Sequence, residues 1–241
     1  MVLAELLIRP RDGAAMVPVA SATAAAGLGL VGDRSAARHS PRQVLVTSRT
    51  VLAQHDLTAR DVRANLVVAG EVDALPSGTV LRFGGVRIRL TLPCEVCHRL
   101  DRVRPGLARV LAGRRGVLGR VLDDGALAAG QVVVVERRTM PALDDDWRAR
   151  VVDIVRHVPR GQVVTTTRLV AIAGVQVTYC RALPAVLRRA PPDVAVHRVI
   201  PADLRRLPPD QRQRLAGDGV DLDQLAAAAW DGAAYFAASE A

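Results

Sequence analysis

Two cysteines three positions apart, Cys94 and Cys97, are the residues of this sequence with the clearest chemical potential. They lie in the segment Thr91–Leu100, which reads Thr-Leu-Pro-Cys-Glu-Val-Cys-His-Arg-Leu. A thiolate is a soft metal ligand and a nucleophile that accepts sulfane sulfur, so either chemistry is open to this pair. Three titratable or cationic side chains follow within five residues: His98, Arg99 and Arg102. They would lower the pKa of a thiol that they face.

The spacing of the two cysteines is compatible with several kinds of site. A structural zinc site needs two further ligands, and no second Cys-x-x-Cys follows. Cys-x-x-Cys-His also matches haem attachment, which occurs on exported proteins, and a thioredoxin-like pair needs a helix that begins directly after the first cysteine. Buried cysteines at a strand end commonly serve as small apolar side chains. The spacing by itself therefore favours buried, unreactive cysteines.

The charge of the chain favours anionic partners. The 241 residues include 33 basic and 24 acidic side chains, for a formal net charge of +9. Every basic residue is arginine, because the sequence holds no lysine. A basic surface favours nucleic acid, phosphorylated cofactors or membranes as partners. Coding bias is enough to explain arginine in place of lysine, although a guanidinium group does bind two phosphate oxygens at once.

Length, cysteine count and apolar patterning exclude other classes. Fifty per cent of the residues are hydrophobic, which indicates a globular chain, and three cysteines do not make a disulfide framework. No apolar run approaches the ~20 residues that cross a bilayer. The segment Met1–Ile8 lacks a basic region ahead of it and is not a signal peptide. We expect a cytoplasmic protein without a membrane partner.

The segments that must position these residues differ between the two halves of the chain. Up to about residue 140, Val-rich runs between Gly and Pro turns predict the strands of a β-barrel or sandwich. The runs are Gln43–Thr47, Asn65–Val68, Thr79–Phe83, Val86–Leu92 and Gln131–Val135. The fourth run alternates apolar and polar residues, which predicts one buried face.

After residue 140 the segments are helical, and Asp146 is typical of a helix N-cap. The predicted helices are Trp147–His157, Thr166–Ala173, Thr178–Arg189, Pro209–Ala216 and Leu222–Ala238. The fold class is therefore α+β in two domains. We expect a β-barrel-like domain at 1–139, a linker at 140–146, a mainly helical domain at 147–222 and a C-terminal helix or tail at 223–241.

Seven short fragments occur in a fixed order in the first half. They are Gly29–Arg34, Pro41–Val44, Arg63–Leu66, Gly84–Val86, Glu95–Leu100, Arg115–Gly116 and Gly125–Val132. The ordered set resembles the MOSC domain, named for the C-terminal domain of molybdenum cofactor sulfurase. The resemblance implies a barrel-like fold with a pocket for the molybdenum cofactor (molybdopterin) or for sulfur chemistry. The family's cysteine stands in a Pro-Cys-x-x-Leu context, of which Cys97 has the leucine and Cys94 the proline. Cys97 is the implied catalytic thiol and metal ligand, and Cys94 is the alternative or a second thiol.

The MOSC resemblance also implies residues that hold the cofactor. Asp33 and Asn65 match family positions, although a Gly-Asp turn and a buried asparagine are common architectural features as well. The pterin phosphate would bind guanidinium groups, and the candidates are Arg42, Arg63, Arg114 and Arg115. MOSC relatives are associated with the reduction of N-hydroxylated bases and amines. A small-molecule or nucleobase substrate and an external electron or sulfur donor are therefore implied.

A second set of motifs occupies the other half. Two short predicted helices joined at Gly174 indicate a helix-turn-helix, and Ala195–Ile200 reads Ala-Val-His-Arg-Val-Ile. With Pro159–Val163, Arg181–Ala182 and Gly217–Val220, these motifs resemble the winged-helix-like C-terminal domain of O6-alkylguanine-DNA alkyltransferases. In that family a Pro-Cys-His-Arg motif holds the acceptor cysteine, whose place is taken here by Val196. Valine has no lone pair, so alkyl transfer to this position is excluded.

Loss of that cysteine makes this half more similar to alkyltransferase-like proteins, which bind flipped alkylguanine without transferring the alkyl group. The resemblance implies DNA contacts, with Arg181 as the intercalating side chain and Thr166 at the position of a family tyrosine. The other implied contacts are His197, Arg198 and Arg188. Pro184 interrupts the predicted recognition helix, at a cost of ~3 kcal/mol unless it lies in the first turn.

The sequence leaves three functions open. The first is a MOSC-type protein that binds the molybdenum cofactor or carries sulfur, joined to a non-transferring alkyltransferase-like module. Such a protein would act on modified nucleobases, as a reductase of N-hydroxylated compounds. The second is a sulfurtransferase that works through a Cys97 persulfide. The third is a non-catalytic protein that binds DNA lesions, with alkylated duplex DNA as its partner.

Overall fold

The computed structural model describes residues 1–136, 140–203 and 206–240. The chain divides into two compact units, Met1–Leu143 and Asp144–Ala241. The predicted boundary at residue 139 lies outside the described residues. Strands dominate the first unit and helices the second, so the predicted α+β class is confirmed. Within the described ranges, no helix is long and apolar enough to cross a membrane.

The first unit is built on strands. They are β1 (Val2–Ile8), β2 (Val17–Pro18), β3 (Ser21–Ala25), β4 (Gly29–Leu30), β5 (Val44–Ser48), β6 (Leu66–Ala69), β7 (Val80–Phe83), β8 (Val86–Pro93), β9 (Val117–Val121), β10 (Gly125–Ala128) and β11 (Val133–Val135). Its helices are α1 (Arg49–Gln54), α2 (Ala59–Val62), α3 (Arg99–Val103) and α4 (Leu107–Val110). An eight-stranded sheet has the order β11-β7-β8-β9-β5-β6-β1-β2, and β10-β3-β4 form a smaller one. In the large sheet β5 and β6 pair in parallel.

The large sheet curls because its edge at β11 returns to β1. Val133 donates its N–H to the Met1 carbonyl at 2.8 Å, and Leu3 donates to the Gln131 carbonyl at 2.9 Å. An antiparallel bridge between Val2 and Val132 lies between these contacts. β11 therefore pairs with β7 on one side and lies beside β1 on the other. This curled sheet agrees with the predicted barrel-like domain.

Both faces of the sheet are covered. Side chains alternate along β5, so that Val44 and Val46 join one apolar core while Leu45 joins a second core under the short helices. The single buried face predicted for β8 is wrong: Arg89 on its other face is fully buried and donates from Nη2 to the Pro141 carbonyl at 2.5 Å. Alternation along one strand does not reveal that residues 140–143 fold over it.

The second unit is mainly helical. Its helices are α5 (Trp147–Arg156), α6 (Thr166–Ile172), α7 (Leu183–Arg188), α8 (Pro209–Gly217) and α9 (Ala233–Glu240), with 3-10 helices at Val177–Arg181 and Val196–Arg198. Strands β12 (Val164–Thr165) and β13 (Val199–Ile200) pair in parallel. The predicted N-cap is confirmed, because Asp146 Oδ1 accepts the N–H of Arg148 at 2.9 Å.

Two predicted helices differ from the structure. The predicted helix Thr178–Arg189 is divided into a 3-10 turn and α7, with Ala182 between them. Pro184 stands in the first turn of α7, where the proline removes no helical hydrogen bond. The helix is interrupted before Pro184 because a proline inside a continuous helix would remove a hydrogen bond and clash with the preceding turn.

The predicted helix Leu222–Ala238 is wrong over its first half. The chain there runs beside Val163 instead: Val163 donates to the Ala228 carbonyl at 2.9 Å and accepts from Trp230 N–H at 2.7 Å. Gly232, with a φ of +84°, then reverses the chain into α9. This tertiary pairing overrides the helical propensity of the alanine-rich stretch.

Candidate active site

The two cysteines lie in an irregular segment that follows β8. Cys94 donates its N–H to the Gly116 carbonyl at 2.8 Å, and Leu100 donates to the Cys97 carbonyl at 2.9 Å. The Cys94 residue is 6% exposed, whereas Cys97 is half-buried. Burial raises the pKa of the Cys94 thiol, against opposing charges of Arg115 and Arg42. Cys97 is therefore the thiol that a reactant from solution reaches more easily.

The Arg115 guanidinium lies against Cys97. Its Nη1 is 3.8 Å from Cys97 Sγ and donates to the Glu95 carbonyl at 2.6 Å, while Nη2 donates to the Val62 carbonyl at 3.2 Å. The Arg115 Nε is buried and has no hydrogen-bond partner within the described part of the chain. A buried donor without an acceptor is costly, so this atom favours an acceptor that the protein does not supply.

Gly116 allows this arrangement. Its φ is +114°, a conformation that side chains strain, and an added Cβ would collide with the Val46 carbonyl oxygen. The glycine lets the chain pass directly over β5 and present its carbonyl to Cys94. Arg115 is thereby fixed next to the cysteine segment.

Four arginines from separate segments converge near this thiol: Arg9, Arg63, Arg99 and Arg115. Burial, followed by repulsion from Arg99 and then Arg9, lowers the pKa of Arg63. Burial, followed by repulsion from Arg115, lowers the pKa of Arg99, and the Cys97 sulfur opposes both shifts. Arg99 is held in place by a hydrogen bond from Nη1 to the Asp61 carbonyl at 3.0 Å. Mutually repelling guanidinium groups indicate a site that attracts an anion.

Asp33 and Asn65 form a buried pair that is joined to the backbone of Arg9. Both are buried, and Asn65 Nδ2 donates to Asp33 Oδ2 at 2.9 Å. The same carboxylate accepts the N–H of Arg9 at 2.7 Å and that of Ser35 at 2.7 Å. Asn65 also accepts the N–H of Leu45 at 3.1 Å. The pair thus fixes the backbone of the segments that carry Arg9 and the residues around Asn65, which agrees with an architectural role.

The second unit has a groove of about 450 Å³. Thr166 at the start of α6, Val196 and His197 line it, together with basic side chains. The basic lining residues are Arg188, Arg206 and Arg214. Val196, which the sequence resemblance predicts to stand in place of an acceptor cysteine, lies on the wall of this groove. Cys180 is near Thr166, and burial raises the pKa of its thiol against a hydrogen bond from Thr166.

His197 and Arg198 meet one carboxylate. His197 Nε2 lies 2.8 Å from Asp218 Oδ2, and Arg198 Nε donates to the same oxygen at 2.7 Å. The hydrogen bond from Arg198, and a weaker one with His197, lower the pKa of Asp218 to about 2. Arg198 also donates to the Val158 carbonyl at 2.8 Å. Arg198 is thus engaged inside the unit rather than extended from it.

Arg181 and Arg188 have the opposite placement. Both are exposed, at the C-terminal ends of the 3-10 helix Val177–Arg181 and of α7. Arg189 follows, also exposed. Of these three exposed arginines, Arg188 also lines the groove.

Residues 30–134 match the family profile of the MOSC domain. The chain contains a MOSC domain. Its ordered motifs in the sequence and its curled sheet in the first unit agree with this match. None of the curated proteins matches the sequence.

Several solved structures are similar to this chain. The YuaD protein from Bacillus subtilis is 18% identical over 55% of this chain and 93% of its own, with a TM-score of 0.46. YiiM from Geobacillus stearothermophilus is 14% identical over 89% and 98%, with a TM-score of 0.47. Atl1 from S. pombe, in complex with damaged DNA containing O6-carboxymethylguanine, is 26% identical over 33% and 81%, with a TM-score of 0.27.

The arginines predicted to hold the MOSC cofactor do not all lie at Cys97. Arg63 and Arg115 belong to the cluster, and Arg42 is close enough for its charge to act on Cys94. Arg114 lies elsewhere, exposed, with Nη2 donating to Gln54 Oε1 at 2.9 Å. His98 and Arg102 are exposed, while Arg99 interacts with the Cys97 sulfur.

The residues of the MOSC domain fit the molybdenum cofactor in charge and in ligand type. The unsatisfied Arg115 Nε and the four guanidinium groups suit a phosphate, and a cysteine sulfur suits molybdenum. Among the described residues, no group of three or more His, Cys, Asp or Glu side chains could hold a metal ion.

Arg9 is the member of the cluster that the sequence motifs did not reveal. It directly follows β1 and precedes the residues matched by the MOSC profile. No motif connects it to Cys97, 88 positions later in the chain. The sequence indicates Arg9 only weakly, as a basic residue that follows a buried strand.

Proposed function

We propose that the MOSC domain binds the molybdenum cofactor, with Cys97 as the sulfur ligand of the metal. The unsatisfied Arg115 Nε beside Cys97 carries this proposal, because a buried cationic donor without an acceptor favours an anionic ligand. Arg9, Arg63, Arg99 and Arg115 would hold the cofactor's phosphate. When bound, the cofactor supplies two-electron redox chemistry.

The residues of the chain have separate tasks in this proposal. Arg115 orients the Cys97 sulfur through its 3.8 Å contact and stabilises negative charge there. The Asp33–Asn65 pair keeps Arg9 in place through its backbone. The reaction that we propose is reduction of an N-hydroxylated nucleobase or amine. The N–O bond breaks and two electrons come from an external donor. One proton converts the released hydroxyl group to water, and a second proton goes to the nitrogen.

Cofactor analysis of purified protein tests this proposal. We expect molybdenum and pterin to co-purify in equal amounts with protein produced in cofactor-competent cells. Cys97→Ser should lose the metal, and Cys94→Ser should keep it. The loaded protein should reduce an N-hydroxylated purine when a reductant is supplied. Absence of metal and pterin from the unaltered protein would contradict the proposal.

Sulfur transfer through a Cys97 persulfide is the second candidate, and the second thiol close to Cys97 favours it. A persulfide sulfur is anionic at neutral pH, so the arginine cluster would stabilise it as it would a phosphate. Mass spectrometry should then detect one added sulfur atom on Cys97 after treatment with a sulfur donor. The adduct should be absent from Cys97→Ser.

For the second unit we propose binding of DNA that contains an alkylated guanine, without alkyl transfer. The exposed Arg181 and Arg188 support contact with phosphates, and the groove that Arg188 lines is large enough to receive a base. Val196 in its wall cannot accept an alkyl group. Binding to matched duplexes with and without O6-alkylguanine tests the proposal.

A further inference from the structure

We infer that Cys94 is a second reacting thiol of the Cys97 site, and that it releases as sulfide the sulfur carried by Cys97. This inference rests on the sulfur-carrying candidate function and adds the residue that ends the cycle. The geometry connects both sulfurs to one pair of groups. Cys94 Sγ is 4.0 Å from the Glu95 carbonyl oxygen, Arg115 Nη1 donates to that oxygen at 2.6 Å, and the same Nη1 is 3.8 Å from Cys97 Sγ.

The backbone gives the two cysteines different freedom. The N–H of Cys94 is fixed to the Gly116 carbonyl, directly after β8 ends. Residues 94–97 then belong to no helix or strand. Because a chain spans at most ~3.3–3.6 Å per residue, two cysteines three positions apart cannot be separated by more than about 11 Å between Cα atoms. A disulfide between them therefore requires only a local rearrangement of this irregular segment that brings their Cα atoms within about 7 Å.

Their surroundings assign different roles to the two thiols. Cys94 packs in the core under the short helices, and burial raises the pKa of its thiol. A protonated, buried thiol is a poor nucleophile towards a donor in solution. Cys97 is half-buried and faces the arginine cluster, which attracts an anionic donor. The incoming sulfur therefore goes to Cys97, and Cys94 reacts afterwards from inside.

Both steps balance. The Cys97 thiolate first takes one sulfur atom from an inorganic polysulfide, which leaves one sulfur shorter, and becomes a persulfide anion. The Cys94 sulfur then attacks Cys97 Sγ. A bond forms between the two cysteine sulfurs, the bond from Cys97 Sγ to the outer sulfur breaks, and that sulfur leaves as HS⁻ with the proton of Cys94. The cysteines are oxidised to a disulfide, the outer sulfur is reduced, and an external dithiol restores both thiols.

Full-length protein treated with inorganic polysulfide, without oxygen, tests this inference. After the reductant is removed, peptide mass spectrometry locates added sulfur and disulfides, and a colorimetric assay measures sulfide above that of Cys97→Ser. We expect the unaltered protein to release one sulfide per chain and to form the Cys94–Cys97 disulfide. Cys94→Ser and Cys94→Ala should instead keep the persulfide on Cys97. Cys180→Ser is the matched control and should behave as the unaltered protein.

The failures of the inference and of the underlying function are distinguishable. A persulfide that lasts as long in the unaltered protein as in Cys94→Ser overturns the role of Cys94 but leaves Cys97 as a sulfur carrier. If neither protein acquires sulfur on Cys97, the sulfur-carrying function itself is wrong. The disulfide is sought in the unaltered protein, so the result does not depend on whether a variant at the buried Cys94 folds.

Discussion

Asn65 donates its side-chain amide to the Asp33 carboxylate at 2.9 Å, and this bond joins two segments that the chain separates by about thirty residues. Asp33 accepts the backbone N–H of Arg9. Asn65 directly precedes β6 and stands two residues after Arg63 in the chain. Neither buried side chain needs to touch a ligand to matter. The bond between them therefore helps to fix the backbone positions from which the side chains of Arg9 and Arg63 extend into the cluster.

Asp33→Ala should destabilise the first unit. It removes the acceptor of the N–H groups of Arg9 and Ser35 and of the Asn65 amide. Because a buried donor left unpaired costs about 1–3 kcal/mol, we expect the free energy of unfolding to fall by at least ~2 kcal/mol. Urea unfolding followed by circular dichroism measures the change.

Two features make this measurement specific. Both tryptophans, Trp147 and Trp230, lie in the second unit. Their fluorescence should therefore not report the unfolding of the first unit. The control is Asp12→Ala, which removes an exposed ion pair with Arg34 and should have little effect. Equal effects of the two substitutions would contradict the architectural role of Asp33.

The arginine cluster should make Cys97 selective for anionic reagents. We expect the ratio of alkylation rates with iodoacetate and with neutral iodoacetamide to be higher at Cys97 than in unfolded protein, and to fall as salt screens the charges. Arg63→Ala and Arg99→Ala should each lower this ratio several-fold. The rates are measured by peptide mass spectrometry.

Arg102→Ala is the matched control for Arg99→Ala. Both arginines lie on α3, but Arg102 is exposed and Arg99 interacts with Cys97. The control should leave the ratio unchanged. A ratio that is insensitive to salt and to all three substitutions would show that the cluster does not attract anions to Cys97.

Local patterns predicted the parts of the fold that local forces decide. The Val-rich runs at β5 to β8 and the Asp146 cap of α5 needed no knowledge of distant residues. The alanine-rich stretch 222–232 failed because its backbone pairs with Val163, some sixty residues earlier. Pairing of that kind leaves no periodic trace in either segment.

In the candidate site as well, sequence motifs predicted some residues and did not reveal others. Cys97 and Arg115 were predicted from the resemblance to the MOSC domain, whose ordered fragments include Glu95–Leu100 and Arg115–Gly116. Arg9 was missed because its place in the cluster depends on the antiparallel pairing of β1 with β6, which brings the end of β1 to the residues just before β6. The internal engagement of Arg198 was also unforeseen, because its partner Asp218 lies twenty residues later.

Asp218→Asn should alter the acid stability of the second unit. The pKa of Asp218 is lowered from 3.8 to about 2, chiefly by the hydrogen bond from Arg198. A lowered carboxyl pKa stabilises the fold above pH 4, and this stabilisation is lost as the pH falls towards 2. We expect Asp218→Asn to cost about 1–2 kcal/mol at pH 7 and to flatten stability between pH 4 and pH 2.

Tryptophan fluorescence during urea unfolding follows this unit across the pH range. Asp210→Asn, an exposed aspartate in the first turn of α8, is the control and should retain the acid dependence of the unaltered protein. If Asp218→Asn loses stability between pH 4 and pH 2 as steeply as the unaltered protein does, other carboxylates govern that range.

Arg181→Ala and Arg188→Ala should weaken binding of the full chain to duplex DNA. If each guanidinium neutralises one phosphate, each substitution lowers the slope of log Kd against log salt concentration by about 1. Fluorescence anisotropy with a labelled duplex measures both quantities. Arg156→Ala is the control. Arg156 is the last residue of α5, and its Nε lies 3.2 Å from Asp193 Oδ2, so this side chain should not contribute to the slope.

The proposed lesion recognition would use the groove as well as the exposed Arg181 and Arg188. A duplex with O6-alkylguanine should bind more tightly than the matched plain duplex, because the damaged base is easier to unpair and enters the groove beside Val196 and His197. Val196→Trp fills the groove, so it should abolish this preference and leave affinity for the plain duplex unchanged. Equal affinity of the unaltered protein for both duplexes would reduce the second unit to a basic surface, since phosphate contacts alone cannot distinguish the two.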